Sequence, residues 1–174
     1  MKKALYILVG IVFLSGAALL IAGNRSEQPL ATSGGSNGCP VNDNMLGSFT
    51  HSFFDVFDLS VEGGTADMYR EGTTLRRMDA VLYGEMGKTD YQYHYLPSGE
   101  LCAVVETVSH YKKPMSPEVI SVERQDFAFT KGALVSWTGT GAVQAPQSPE
   151  FVKRGKDIVQ LGADILSKEK KVAR

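Results

Sequence analysis

The sequence predicts an α+β fold: an antiparallel β-meander of about six strands with an N-terminal and a C-terminal helix, preceded by a single N-terminal transmembrane or signal segment. Apolar and polar residues alternate over short stretches between residues 63 and 138, as is typical of antiparallel strands. Turns containing glycine separate these stretches at intervals of about ten residues. The residues after 148 instead carry apolar side chains at helical spacing. A chain of 174 residues is long enough for one domain with a filled core.

The N-terminal segment predicts export. Residues 4–23 form an uncharged, largely apolar run after Lys2 and Lys3, and as a helix this run extends roughly 30 Å, the thickness of a bilayer's hydrocarbon layer. Ser15-Gly16-Ala17 offers a cleavage site after a shorter apolar stretch, so residues 1–25 are expected to be either a signal anchor or a signal peptide. Lysines before the apolar run favour delivery of the remaining chain across the membrane. The expected location is the bacterial periplasm or cell envelope, anchored in the inner membrane or secreted after cleavage.

A linker and a disulfide are expected next. Residues 26–40 are rich in Ser, Gly and Asn and have no periodicity, which predicts a flexible linker before a single exported domain at 41–174. Cys39 and Cys102 are the only cysteines, and in an oxidising compartment their simplest interpretation is a disulfide. A catalytic thiol or a metal site at Cys102 is the alternative, but no C-x-x-C spacing supports either one.

The meander is predicted to consist of strands at residues 65–70, 75–83, 88–96, 101–111, 119–129 and 133–138. A four-residue turn over 84–87 sets the register of the second hairpin, with expected pairs Tyr83 and Lys88, Ala80 and Tyr91, Met78 and Tyr93, and Arg76 and Tyr95. One side of this hairpin is then apolar and tyrosine-rich, and it is the predicted buried side. Arg76 is expected to lie over the ring of Tyr95.

Two helices are predicted beside the sheet. Residues 43–58 place Leu46, Phe49 and Phe53 at helical spacing, although residues 53–59 are also compatible with a strand. For the C-terminal helix, Ser148 is the expected N-cap and Pro149 suits the first helical position. Gly155 and Gly162 lie on or near its apolar stripe, so we expect close packing there.

A set of turn and strand motifs resembles small, exported bacterial proteins of uncharacterised function. The motifs are Leu82-Tyr83-Gly84-Glu85 with Gly87-Lys88, then Tyr91, Tyr93 and Tyr95, then Gly99-Glu100-Leu101. The resemblance covers roughly residues 63–139. It implies an antiparallel sheet outside the cytoplasm and carries no known activity.

Composition and motifs favour a binding module over an enzyme. A net charge of -1 argues against nucleic acid as a partner, and no sequence motif predicts a cofactor or a metal site. The expected partners are the membrane, through the N-terminal segment, and another envelope protein or a cell-wall component. The alternative function is a small periplasmic hydrolase or metal-dependent enzyme that uses His94 or His110 with a nearby carboxylate.

The candidate binding residues are Tyr91, Tyr93, Tyr95, His94 and Arg77. The tyrosine row is expected to form core, but it becomes a recognition surface for a peptide, a glycan or an envelope protein if its side of the sheet is open. His94 is expected beside Arg77 and near Asp79, as a solvated neighbour on the polar side.

Overall fold

Eight strands and one long helix make up the fold within the described part of the chain. The computed structural model describes Cys39 and residues 43–139, 142–143 and 145–172. The predicted anchor at 4–23 and nearly all of the predicted linker lie outside these residues. Among the residues described, no helix combines the length and apolarity needed to cross a membrane.

The strands follow one another in space in the same order as in the sequence, and every pair is antiparallel. They are β1 (Thr50–Asp55), β2 (Gly64–Glu71), β3 (Thr74–Gly84), β4 (Gly87–Tyr95), β5 (Leu101–Tyr111), β6 (Val119–Thr130), β7 (Ala133–Gly139) and the two-residue β8 (Ala142–Val143). The helix α1 spans Pro149–Val172. The predicted meander and C-terminal helix are therefore confirmed, and β2 to β7 match the six expected strands.

The predicted N-terminal helix is wrong. Residues Asp43–Ser48 form a short 3₁₀ helix, and residues Thr50–Asp55 form β1, which pairs with β2. Helical spacing would have placed Phe49, Phe53 and Phe57 on one side, but aromatic residues such as Phe53 and Phe54 are also enriched in strands. Strand pairing puts Phe54 opposite Ala66 in the core and leaves Phe53 exposed. Tertiary pairing has overridden the local periodicity.

The register of the β3–β4 hairpin agrees with the sequence prediction. Tyr83 pairs with Lys88, Ala80 with Tyr91, and Met78 with Tyr93. The ladder ends at Arg77 and His94, so the expected Arg76–Tyr95 pair lies beyond it. Arg76 does not stack on Tyr95 as expected: its guanidinium carbon lies 5.8 Å from the centre of the Phe49 ring, and its Nε donates to the Tyr95 backbone carbonyl at 3.4 Å.

Helix α1 lies across one side of the sheet, which we call the closed face. Near β7, the rings of Phe151 and Trp137 are 6.5 Å apart, and further along α1 the carbonyl of Ile158 meets Tyr93 of β4. At the far end of the helix, Glu169 contacts Arg70 of β2. The apolar side chains of the closed face are the core: Phe54, Ala66, Met68, Met78, Ala80, Tyr91, Tyr93, Val104, Phe127 and Trp137. Their burial is the main stabilising contribution, about 1.5 to 3 kcal/mol for each large side chain.

The start of α1 follows its sequence signals. The backbone N–H of Phe151 donates to the Ser148 hydroxyl oxygen at 3.1 Å, so Ser148 is the N-cap. Pro149 occupies the first helical position, where its missing N–H costs no hydrogen bond. These two residues define the N-terminus of α1.

The predicted disulfide is present. Cys39 and Cys102 are bonded, with Cα atoms 5.7 Å apart and a sequence separation of 63 residues. Cys102 lies at the start of β5, where the register with β4 shifts between His94 and Tyr95. The bond therefore ties the beginning of the described chain to the middle of the sheet.

Candidate functional site

The three candidate tyrosines lie in the core. Tyr91, Tyr93 and Tyr95 are buried on the closed face, and the hydroxyl of Tyr93 donates to the Ile158 carbonyl of α1 at 3.0 Å. Burial raises the pKa of all three phenols, that of Tyr95 to about 12. A partner on the protein surface does not reach these side chains, so their burial supports the interpretation of the row as core. A direct role in binding stays a prediction.

One ion pair is enclosed between α1 and the sheet. Arg154 of α1 donates to the carboxylate of Glu106 on β5, next to Tyr91. The guanidinium carbon of Arg154 lies 5.4 Å from the centre of the Phe127 ring. Burial lowers the pKa of Arg154, but the hydrogen bond and charge of Glu106 raise it by more. Both charges are satisfied, and the pair joins the helix to the centre of the sheet.

The opposite side of the sheet, which we call the open face, carries the polar candidates. Two rows of cross-strand neighbours lie on it. The first contains His51, Tyr69, Arg77, His94, Ala103 and Ala128, and the second contains Phe53, Asp67, Asp79, Gln92, Val105 and Asp126. The structure thus brings Arg77 and His94 together as predicted and adds residues from β1 and β2.

His94 is buried, and its predicted solvated position is wrong. The residue is only 1% exposed, and its Nε2 has no hydrogen-bond partner among the described residues. Its pKa is lowered to about 4, chiefly by burial and secondly by the positive charge of Arg77. The disulfide lies next to it, with Cys102 Sγ 3.2 Å from the His94 carbonyl oxygen. The imidazole is therefore neutral at neutral pH.

Arg77 is held by two carboxylates. Its Nε donates to Asp79 at 2.6 Å, and its terminal nitrogen donates to Asp43 at the start of the 3₁₀ helix. Burial lowers the pKa of Arg77, but the hydrogen bonds to Asp79 and Asp43 raise it by more. The guanidinium thus joins the two carboxylates on the open face.

Four carboxylates gather at the β1 end of the open face. Asp67 stands directly opposite Asp79 across the β2–β3 pair, and Asp43 shares the guanidinium of Arg77 with Asp79. Asp55 lies on the same face, diagonally across the β1–β2 pair from Asp67. Burial raises the pKa of the Asp79 carboxyl, the hydrogen bond and charge of Arg77 oppose this, and the charge of Asp67 adds to the rise. We call Asp43, Asp55, Asp67 and Asp79 the acidic patch.

Aromatic rings border the acidic patch. Phe53, which is 57% exposed, is the cross-strand neighbour of Asp67. His51 contacts Asp67 through its Nε2 at 2.6 Å and stacks on Tyr69, with ring centres 5.0 Å apart. Burial raises the pKa of the Tyr69 phenol, and the charge of Asp67 adds to that effect. The patch thus combines negative charge with accessible apolar surface.

Most of this patch is not evident from the sequence. Its geometry depends on β1, which pairs Phe53 with Asp67, and residues 50–55 were expected to be helical. The available signal was the strand interpretation of residues 53–59, because a strand places Phe53 and Asp55 on the same face. Asp79 and Arg77 were placed on this face correctly.

The histidines of the enzymatic alternative lie apart. His94 is on the open face, whereas alternation along β5 from Glu106 puts His110 on the closed-face side, where its Nε2 lies 3.5 Å from Glu123. No three His, Cys, Asp or Glu residues within the described ranges are placed to hold one metal ion. A shared site built from both histidines is therefore not formed, and an enzyme based on one of them stays a prediction.

No protein-family model, curated protein or solved structure matches this chain. The resemblance to small exported bacterial proteins consequently stays an expectation from the sequence motifs.

Proposed function

We propose that the protein is an exported, membrane-tethered module of the bacterial cell envelope that binds another envelope protein or a cell-wall component through its open face and catalyses no reaction. The asymmetry of the sheet carries this proposal. Helix α1 covers the closed face, whereas the open face presents half-exposed charges and the exposed ring of Phe53. Accessible aromatic surface surrounded by polar groups is characteristic of interaction sites.

Export is supported by two independent features of the chain. The uncharged run at 4–23 follows two lysines, as a signal anchor or signal peptide does. The Cys39–Cys102 disulfide is weakly consistent with an oxidising compartment. The location is tested by fractionating cells and treating them with a membrane-impermeant thiol reagent after reduction. A protein found in the cytosol with both thiols free would contradict the proposal.

Binding through the open face is tested by photo-crosslinking in intact cells. A benzoylphenylalanine residue is introduced into the full-length chain at Phe53 or Val122, both on the open face, and at the exposed helix positions Lys156 and Val159 as matched controls. We expect adducts of defined mass from the open-face positions and few from α1. Adducts only from α1 would place the binding surface on the helix and overturn the proposal.

A further inference from the structure

We propose that the acidic patch binds an extended segment of a partner protein that carries lysine or arginine side chains and lies along the outer edge of β1. This inference rests on the binding role proposed above and names the class of partner. The evidence for it is the negative charge of the patch, the exposed ring of Phe53 and the outer edge of β1, which all lie at one end of the open face.

The charge of the open face is concentrated in the patch. The patch contains four carboxylates and one guanidinium, that of Arg77, so its carboxylates outnumber its guanidinium by three. Arg77 contacts Asp43 and Asp79, and Asp67 instead contacts His51. Elsewhere on this face the charges are balanced, since Lys88 pairs with Asp90 at 3.0 Å and Arg124 with Asp126 at 2.7 Å. A cationic side chain is the complementary group for such a surface.

Two carboxylates in the patch oppose each other. Asp67 and Asp79 are direct cross-strand neighbours, and like charges in that arrangement repel. Their side chains are 33% and 25% exposed, so a cation from solvent can approach both. Asp55 is exposed and forms no ion pair within the described residues, which leaves a further acceptor at the rim. A bound ammonium or guanidinium group would relieve the repulsion.

The ring of Phe53 favours lysine or arginine over a small inorganic cation. It is exposed and adjacent to Asp67, so it offers apolar surface to the methylene groups of a long cationic side chain and its face to the charge. The lack of a three-ligand cluster in the described part of the chain agrees with an organic cation.

The edge of β1 favours a peptide over a free amine. Strand β1 is the first strand of the sheet, and its outer edge pairs with no strand among the described residues. The sequence of β1, Thr50–Asp55, contains no Pro or Lys, and its pairing with β2 shows no bulge, so these three common obstacles to an added strand are missing from β1 itself. A segment paired along β1 would direct every second side chain over the open face, beside Phe53 and Asp55.

The test uses the purified full-length chain in a neutral detergent and a fluorescent octapeptide of alternating Lys and Thr. Fluorescence anisotropy measures its dissociation constant at low salt, with an alternating Glu–Thr peptide and a Lys–Thr peptide N-methylated at every second residue as control probes. We expect Asp55→Asn and Asp67→Asn each to weaken binding about two- to fivefold, the range of an exposed ion pair. Asp126→Asn, on the same face but outside the patch, is the matched control and should change binding less.

Higher salt should weaken binding of the Lys–Thr peptide, and N-methylation should abolish most of it. Equal binding of the Lys–Thr and Glu–Thr peptides, or unchanged binding by both patch variants, would overturn the inference. Because Asp55 has no ion pair to lose, its variant keeps the test valid if Asp67→Asn disturbs the fold. Open-face crosslinks that persist despite a failed peptide test would uphold the binding role and reject only this partner class.

Discussion

The hydroxyl of Tyr93 on β4 donates a hydrogen bond to the backbone carbonyl of Ile158 on α1, with the two oxygens 3.0 Å apart. Both residues are fully buried, so the bond joins the helix to the middle of the sheet without competition from water. The same tyrosine ring packs against Gly162 one turn later. Tyr93 is thus the central contact between the two layers of the fold.

Removing the Tyr93 hydroxyl should weaken this contact measurably. We expect Tyr93→Phe to lower the free energy of unfolding by about 1 kcal/mol, because a buried donor and its acceptor lose each other while the ring stays in place. Denaturant unfolding measures the change. Tyr83→Phe is the matched control, since Tyr83 is exposed and should give almost no change. Equal effects of both substitutions would contradict the assigned role.

A methyl group at Gly162 should be destabilising despite the better helix propensity of alanine. A Cβ there would lie 2.8 Å from Tyr93 Cε1, a ring atom that the core holds in place. The helix gains about 1 kcal/mol from Ala, whereas overpacking typically costs 1 to 3 kcal/mol, so we expect Gly162→Ala to lower the midpoint of thermal unfolding. Gly47→Ala, with nothing within 4 Å of its Cβ, is the control and should not.

The disulfide should contribute a large share of the stability. Replacing Cys39 and Cys102 together by Ser opens a loop of 64 residues, counted from a separation of 63, and should lower the free energy of unfolding by about 4 kcal/mol on the chain-entropy estimate. Denaturant unfolding with and without a reducing agent measures this. Reduction should destabilise the wild type to a similar extent and leave the double variant unchanged. A wild type insensitive to reductant would refute the prediction.

Acid should destabilise the fold through His94. Its pKa is lowered from 6.5 to about 4 in the native state, so between these values the unfolded chain binds more protons than the native chain. Stability is therefore lost as the pH falls from 6.5 towards 4, by up to about 3 kcal/mol, and is unaffected by this group above that window. The free energy of unfolding of the wild type, measured against pH, should fall over this window relative to that of His94→Gln.

The control for that measurement is His110→Gln, which removes a half-exposed imidazole. The free energy of unfolding of this variant should still fall between pH 6.5 and 4, because His94 is intact. A wild-type curve that stays parallel to that of His94→Gln across the window would mean that the buried imidazole is charged or hydrated in the native state.

The sheet could be predicted largely from local signals. Glycine-containing turns join β2 to β3, β3 to β4, β4 to β5 and β6 to β7, and once the 84–87 turn is placed, strict alternation determines which side chains share a face. That is why the sequence correctly predicts the pairing of Met78 with Tyr93. The N-cap Ser148 followed from equally local chemistry.

The candidate site could be predicted only in part, because it depends on contacts distant in sequence. The helical spacing of Phe49, Phe53 and Phe57 concealed β1, and without β1 the neighbours of Asp67 were unknown. The burial of His94 likewise depends on its surroundings in the folded sheet, including the nearby Asp43, which lies far from it in sequence. The alternation of side chains along a strand predicts which face of the sheet a residue lies on, but it does not predict which other parts of the chain cover that face.

The arrangement of the strands in chain order has a kinetic consequence. Each sheet contact is made between neighbours in sequence, so hairpins can add one after another as the polypeptide emerges, and low contact order of this kind favours rapid folding. Helix α1 follows the strands in the sequence, so every strand that it covers is synthesised before it.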